Sequence, residues 1–308
     1  MAIKEYRLSI IRRIIQISSF ILINFVILEF IFSINLRSIE RFIKILPILA
    51  APENPLSAGA GFAEYMFYFI AEGEFPFLLL GIFLLLVLFL NRSFCGWICP
   101  IGTIQDGLPS IPTNKKKVKI ETHNTLVHLK YLIILLLLFI IVPLGFTKVT
   151  DESFYKDYKN NLGEVAQNPV GYFSLSEYIF VFFPELVEEM WEKQNLEPLF
   201  TEFGIFFMFT FYLIVIFLAV YYPRVYCRYL CPFGALSAAI SDYSFLKLSR
   251  SPVRCVGRTE CGVCERVCPK QIRILDEPFE FFTGNGECNL CVRCMEACPY
   301  DAIELKFG

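Results

Sequence analysis

Twelve cysteines are distributed along a chain of 308 residues, and their spacing carries the chemistry. Cys288, Cys291, Cys294 and Cys298 are packed into the run CNLCVRCMEACP, ending on Pro299. Three thiolates this close wrap one corner of an iron–sulfur cubane, and the fourth cysteine of such a run ligates a neighbouring cluster. An altered copy precedes it: Cys255, Cys261, Cys264 and Cys268, then Pro269. Its first gap is five residues rather than two, and Arg258 stands where the first cysteine of a regular run would fall. Cys255 supplies the missing ligand if the loop VGRTE bulges. Exchanging the fourth cysteines assigns Cys255, Cys261, Cys264 and Cys298 to one [4Fe–4S] cluster, and Cys268, Cys288, Cys291 and Cys294 to a second. A labile or three-iron cluster is the alternative for the altered copy. Zinc also takes four thiolates, but its modules pair C-x2-C units across a longer loop.

The other four cysteines form an internal repeat. NRSFCGWICPIGTI (91–104) and PRVYCRYLCPFGAL (223–236) align without gaps at an offset of 132, with Arg92/Arg224, Cys95/Cys227, Cys99/Cys231, Pro100/Pro232 and Gly102/Gly234 identical. A repeated hydrophobic helix followed by a CxxxCP loop points to two halves related by a pseudo-two-fold axis. Cysteines at i and i+4 share an edge, so two converging pairs present four sulfurs. A further iron or iron–sulfur centre, a redox thiol pair and simple packing all fit that spacing, which does not choose among them.

The elements that must position these cysteines are membrane helices. The sequence is 56% hydrophobic and 19% charged, with mean hydropathy +0.54, where soluble domains carry about 25% charged residues. The apolar blocks Ile14–Ile34, Phe75–Leu90, Tyr131–Phe146 and Phe203–Tyr222 predict four transmembrane helices, the third extended to Leu126 if Lys130 snorkels to the interface. The first block is too long for a signal peptide, and no small-residue cleavage site follows it closely. Residues 1–13 and 91–130 are rich in Lys and Arg, including the run Lys115, Lys116, Lys117 and Lys119, whereas 147–202 holds four basic and eleven acidic residues. The positive-inside rule then puts both termini, the CxxxCP loops and the C-terminal module in the cytoplasm of a multi-pass inner-membrane protein. Loops 35–74 and 147–202 face outside, where Phe62–Phe69 and Tyr172–Phe183 would lie in the interface as amphipathic helices. The predicted fold is a four-helix membrane domain over 1–245 carrying a small α+β, ferredoxin-like two-cluster domain over 246–308. In that domain QIRILDEPFEFF and AIELKF would supply the strands.

The motifs RSFCGWICPIGT, YCRYLCPFGA and CNLCVRCMEACP together resemble the polyferredoxin-like membrane iron–sulfur family, whose members include NapH, the NosR-type proteins and the assembly factor CcoG. The resemblance covers nearly the whole chain. Four helices with both termini inside look most like NapH. That implies a quinol dehydrogenase-like subunit passing electrons between the quinone pool and a partner oxidoreductase, within a larger hetero-oligomeric membrane complex. Resemblance to CcoG implies the alternative, a metal reductase or assembly factor whose CxxxCP thiols bind copper or iron.

Composition excludes other classes. A net charge of −2 does not suit a general nucleic-acid binder, and two His, 123 and 128, do not suffice for two bis-His haems. The histidines and the lysine run read as surface or interface residues. Glu29 is the one charged residue inside an apolar block, which makes it the candidate proton acceptor for quinol oxidation; Ser18 and Ser33 share its face. Its other reading is a carboxylate bonded to a neighbouring helix near the interface. Glu29→Gln is expected to slow quinol turnover with the clusters intact, and unchanged turnover would remove the idea.

Overall fold

The structure is a computed structural model that describes residues 7–24, 62–110, 115–163, 170–195, 197–201 and 203–308. Glu29, Ser33 and the rest of residues 25–34 of the first apolar block lie outside the described residues. Along the chain, α1 (Arg7–Ile23), α2 (Phe62–Ala71) and α3 (Phe77–Leu90) lead to the short pair α4 (Ser93–Trp97) and α5 (Pro100–Gly107). Next come α6 (Ile120–Val127), the long α7 (Leu129–Thr150) and α8 (Glu152–Leu162). Residues 171–182 wind through short helical turns into α9 (Phe183–Lys193). The second half then repeats the first, with α10 (Phe203–Tyr221) leading to the pair α11 (Val225–Tyr229) and α12 (Pro232–Ser241). Finally, β1 (Leu246–Arg250) and β2 (Ile303–Phe307) flank α13 (Gly257–Glu260), α14 (Val263–Val267) and α15 (Arg293–Glu296).

Among the described residues, two helical stretches, Ile120–Thr150 and Gly204–Tyr221, are long and apolar enough to cross a membrane. Only 28% and 22% of their most apolar windows are buried, so they are not the core helices of a water-soluble domain. Phe139, Phe146 and Phe217 point outward, and so large an apolar exterior is covered by lipid. α3, at 14 residues, spans about 21 Å, less than a full bilayer core. Lys130 does not snorkel: it is buried at the start of α7 and ion-paired to Glu287.

The aromatic stretch at 172–183 differs most from its expected interfacial position. Val170, Ser174, Leu175, Ser176 and Tyr178 are all buried in the main core. Tyr212, halfway along α10, donates its hydroxyl to the Tyr172 carbonyl (2.9 Å) and stacks on Tyr178 (4.8 Å between ring centres). Tyr226, past the end of α10, donates to the Phe173 carbonyl (2.8 Å) and accepts from the Leu175 amide (3.1 Å). Irregular backbone survives at such depth only when its polar groups find partners, and these two tyrosines supply them. A π-helical turn at Tyr178–Phe182 precedes Pro184, whose ring cannot continue a regular hydrogen-bond ladder. α2 likewise packs inward, burying Met66, Phe67 and Ala71.

A second, smaller core gathers Leu248, Cys264, Ile274, Phe282, Cys288, Leu290, Cys294 and Ile303. AIELKF forms β2 as expected, but its antiparallel partner is β1, in the register Leu246↔Phe307 to Arg250↔Ile303. QIRILDEPFEFF forms no strand and gives only an isolated bridge, Phe282 to Leu248. Gln271 takes a positive φ, Arg273 and Asp276 close a turn, and Pro278 lacks an amide, so the segment cannot run straight.

Candidate metal centres

The CxxxCP motif has a local logic. In each copy the first cysteine lies in a short helix, α4 or α11, and the second is the N-cap of the next, with φ/ψ of −60/124° at Cys99 and −66/113° at Cys231. Proline follows at the first helical position, where its missing amide costs nothing and its fixed φ suits the turn. The sulfurs of both copies therefore face one place. Cys95, Cys99, Cys227 and Cys231 line a single enclosed cavity, the central site, together with Arg92, Arg224, Lys270 and Ser176.

The halves cross over around it. A Cβ on Gly102 would stand 3.7 Å from the Arg224 guanidinium, and one on Gly234 would stand 3.2 Å from that of Arg92. Gly234 thus makes room for Arg92, whereas at Gly102 the Cys95 carbonyl oxygen, 2.6 Å from a Cβ, leaves no space and Arg224 lies in ordinary contact. Each arginine also has its own carboxylate. Arg224 holds Asp106 with two charge-assisted bonds of 2.8 and 2.6 Å, and Arg92 meets Glu287 at 3.3 Å. Burial alone would raise the Asp106 carboxyl, but Arg224, Arg12 and Arg293 hold it far below the usual carboxylate range. Burial also opposes ionisation of Glu287, yet Arg92, Lys270 and Lys130 bring it down to about 2.

The other eight cysteines divide between two further cavities. Cys255, Cys261, Cys264 and Cys298 line one, with Arg250 in its wall. Cys268, Cys288, Cys291 and Cys294 line the other, among Leu248, Ile272, Ile274, Phe282 and Asn289. Each of these cavities thus brings together cysteines from both motifs. Arg258, in place of a regular first cysteine, is turned away into ion pairs with Glu265 and Asp276.

Each cavity wall contains a buried donor with no protein partner: Arg92 Nε and Ser176 Oγ at the central site, Asn289 Nδ2 at the second, Arg250 Nε at the third. Unpaired buried donors are costly, and a sulfur-rich anionic group would satisfy them. Amides already donate to sulfur, from Gly234 to Cys231 (3.2 Å) and from Ala302 to Cys298 (3.3 Å). Burial, then Cys227, pushes the Cys231 thiol up to about 12. Burial, then Cys291, does the same at Cys288, and burial raises Cys264 to about 11. Such thiols ionise when iron binds, releasing protons. The residues present therefore fit iron–sulfur clusters.

The middle site adjoins both of the others. Gly96, beside Cys95, lies against Asn289, beside Cys288, and Trp97 donates its indole N–H to the Leu290 carbonyl (2.8 Å). Lys270, two residues after Cys268, donates to the Cys227 carbonyl of the central site (2.8 Å). Cys264 and Cys268 are four residues apart at α14, as are Cys294 and Cys298 at α15, so each helical turn joins the two outer sites. A Cβ on Gly96 would come within 2.3 Å of the Asn289 carbonyl oxygen. Gly96→Ala is therefore expected to force this contact apart and destabilise the protein by about 1–3 kcal/mol, measured as a lowered melting temperature in detergent.

The basic run partly serves this docking: Lys117 donates to the Glu265 carbonyl (2.9 Å). His123 bonds the Tyr229 hydroxyl (2.9 Å), whereas His128 is exposed.

Three four-cysteine cavities on a helical frame fit a protein that carries iron–sulfur clusters. Residues 73–119 and 204–251, each a membrane-type helix with its CxxxCP loop, match the Fer4_5 family, described as a 4Fe-4S binding domain. The chain is 27% identical over 251 residues to an uncharacterized protein of Methanocaldococcus jannaschii, covering 78% of this chain and 83% of that one. It is 26% identical over 238 residues to YccM of Escherichia coli, named as an electron transport protein, covering 75% of this chain and 57% of YccM. It is 25% identical over 215 residues to the regulatory protein NosR of Pseudomonas aeruginosa, covering 68% of this chain but only 24% of NosR. The resemblance to the NosR-type group of iron–sulfur proteins, drawn above from the cysteine motifs, holds. No solved structure matches the chain.

Proposed function

We propose that the chain is a quinol dehydrogenase-like subunit that moves electrons between the membrane quinone pool and a partner oxidoreductase. The observation that carries the reading is the succession of neighbouring sites, from a centre in the loops that follow the membrane-type helices α3 and α10, through the middle site, to one beside exposed Tyr300. [4Fe–4S] clusters there would each change by one electron, which suits dividing a two-electron quinol oxidation into single steps. Cys95, Cys99, Cys227 and Cys231 hold the central cluster. Cys268, Cys288, Cys291 and Cys294 hold the middle one, and Cys255, Cys261, Cys264 and Cys298 the outermost. Residues 1–245 make a four-helix multi-pass membrane domain and 246–308 the two-cluster domain, with both termini and all clusters on the cytoplasmic side. Glu29 remains the candidate proton acceptor.

The protein's own groups do the rest. Buried Arg92, Arg224 and Lys270 offset the anionic thiolates of the central site, and apolar residues exclude water from the middle one. Anaerobic EPR of the purified protein, titrated with a quinol, tests the reading: signals that appear with quinol support it. Signals that need a strong low-potential reductant would overturn the quinol-oxidising direction. Stoichiometric copper at the four CxxxCP sulfurs, displacing iron, would favour a metal reductase instead. Within the altered motif, Cys255→Ser is expected to abolish one ferredoxin-type signal while Arg258→Ala leaves both, as checked by EPR and iron content.

A further inference from the structure

Segment 171–182 is buried between α10 and α11, where its position places Ser176 in the wall of the central cavity. The Ser176 side chain is 1% exposed and its hydroxyl has no partner, although Ser174, two residues earlier, caps the adjoining turn in the ordinary way. The same wall contains Arg92, whose Nε is also unpartnered, together with Arg224 and Lys270. Each of these three cations is at most 3% exposed; Arg224 is paired with Asp106, while Arg92 and Lys270 share the single carboxylate of Glu287, so positive charge is left over on their side of the cavity. The middle cavity, by contrast, has no charged residue in its wall, and the outermost has only Arg250.

The charge and donors around a cluster set its potential. A nearby cation or a hydrogen bond to sulfur favours the more negative, reduced state. We propose that Ser176, Arg92 and Lys270 act as positioning residues that make the central centre the first of the three to be reduced, with Ser176 donating its hydroxyl to a cluster or cysteine sulfur. This rests on the reading that the four CxxxCP cysteines hold a cluster. A single electron in the chain then resides beside segment 171–182. The middle centre, in its uncharged wall, is the last to fill. Lys270 makes the link direct, because its backbone follows the middle-site ligand Cys268 while its ammonium bonds the Cys227 carbonyl of the central site.

The test is an EPR-monitored potentiometric titration of the intact, cluster-loaded protein. Cys231→Ala first identifies the central signal by removing it. Ser176→Ala is expected to lower that signal's midpoint alone, changing its reduced-to-oxidised ratio about tenfold at fixed potential, or about 59 mV for a one-electron couple. Ser176→Thr, which keeps the hydroxyl, restores the wild-type value. Lys270→Gln is expected to change the ratio about a hundredfold in the same direction. If Cys231→Ala leaves every signal and the iron content unchanged, no cluster sits there, and both the reading and this inference fall. If the central signal exists but neither Ser176→Ala nor Lys270→Gln moves its midpoint, the inference alone is overturned.

Discussion

Asp106→Ala is expected to destabilise the protein by about 3–5 kcal/mol, the largest effect of any single side chain outside the cysteines. The carboxylate is 4% exposed and accepts two bonds from Arg224. It also meets Arg12 at 3.3 Å and accepts from Gln16 at 3.0 Å. Removing it leaves two deeply buried guanidiniums without a counter-charge, and uncompensated buried charge is what makes a broken internal pair expensive. The loss would not be local. Asp106 joins α1 and α5 to the start of the second repeat, so the central cavity loses the clamp that holds Arg224 across Gly102. Asp106→Asn keeps some of these bonds but not the charge, and should fall between wild type and Ala. Thermal unfolding in detergent, followed by cluster absorbance and by tryptophan fluorescence, would show both transitions shifted together. An Asp106→Ala protein as stable as wild type would contradict this account of the network.

The second large effect concerns cluster content. Cys231→Ala is expected to remove one centre of three, lowering iron from about twelve to about eight atoms per chain, with the two ferredoxin-type centres still present. The reason lies in the independence of the cavities. Cys231 contributes to the central site alone, and the second core around Leu248 and Ile274 does not include it. Cys298→Ala should act differently, because it damages the outermost cluster although Cys298 belongs to the other sequence motif. Iron and sulfide analysis of both variants, with EPR of the reduced proteins, separates these outcomes. If Cys298→Ala instead removed the middle signal, the exchanged assignment would be wrong.

The grouping of Cys288, Cys291 and Cys294 was legible from sequence because it is local, whereas the fourth cysteine beside them depends on how α14 and α15 pack. The repeat was legible as well, since Arg92/Arg224 and Gly102/Gly234 recur at one offset. What those residues do was not, because each arginine meets the glycine of the other half, a contact that depends on how the halves pack. Nothing in the sequence sets Asp106 apart within the basic stretch 91–130. Lys130 read as an interfacial lysine because its partner, Glu287, lies 157 residues away. Segment 172–183 misled most. Aromatic residues interspersed with serines look interfacial, and only the hydroxyls of Tyr212 and Tyr226 explain how that backbone can be buried. β1 was overlooked because LKLSR is too short to stand out without its partner. The usable signal for Ser176 was faint: a serine next to an acidic residue inside an otherwise apolar aromatic run.

The exchange of cysteines between motifs bears on how the protein matures and is withdrawn from use. No cavity is completed by one contiguous stretch: the central one needs both repeats, and each outer one borrows a sulfur from its neighbour's motif. A half-synthesised chain therefore offers incomplete sites, and iron fixes the geometry only once both halves have met. Clusters held as proposed would work as staples across sequence separations that otherwise cost loop entropy to close. Oxidative loss of one cluster would open such a closure and loosen two segments at once. Damaged molecules would thus present unfolded chain to proteases, while intact ones would not.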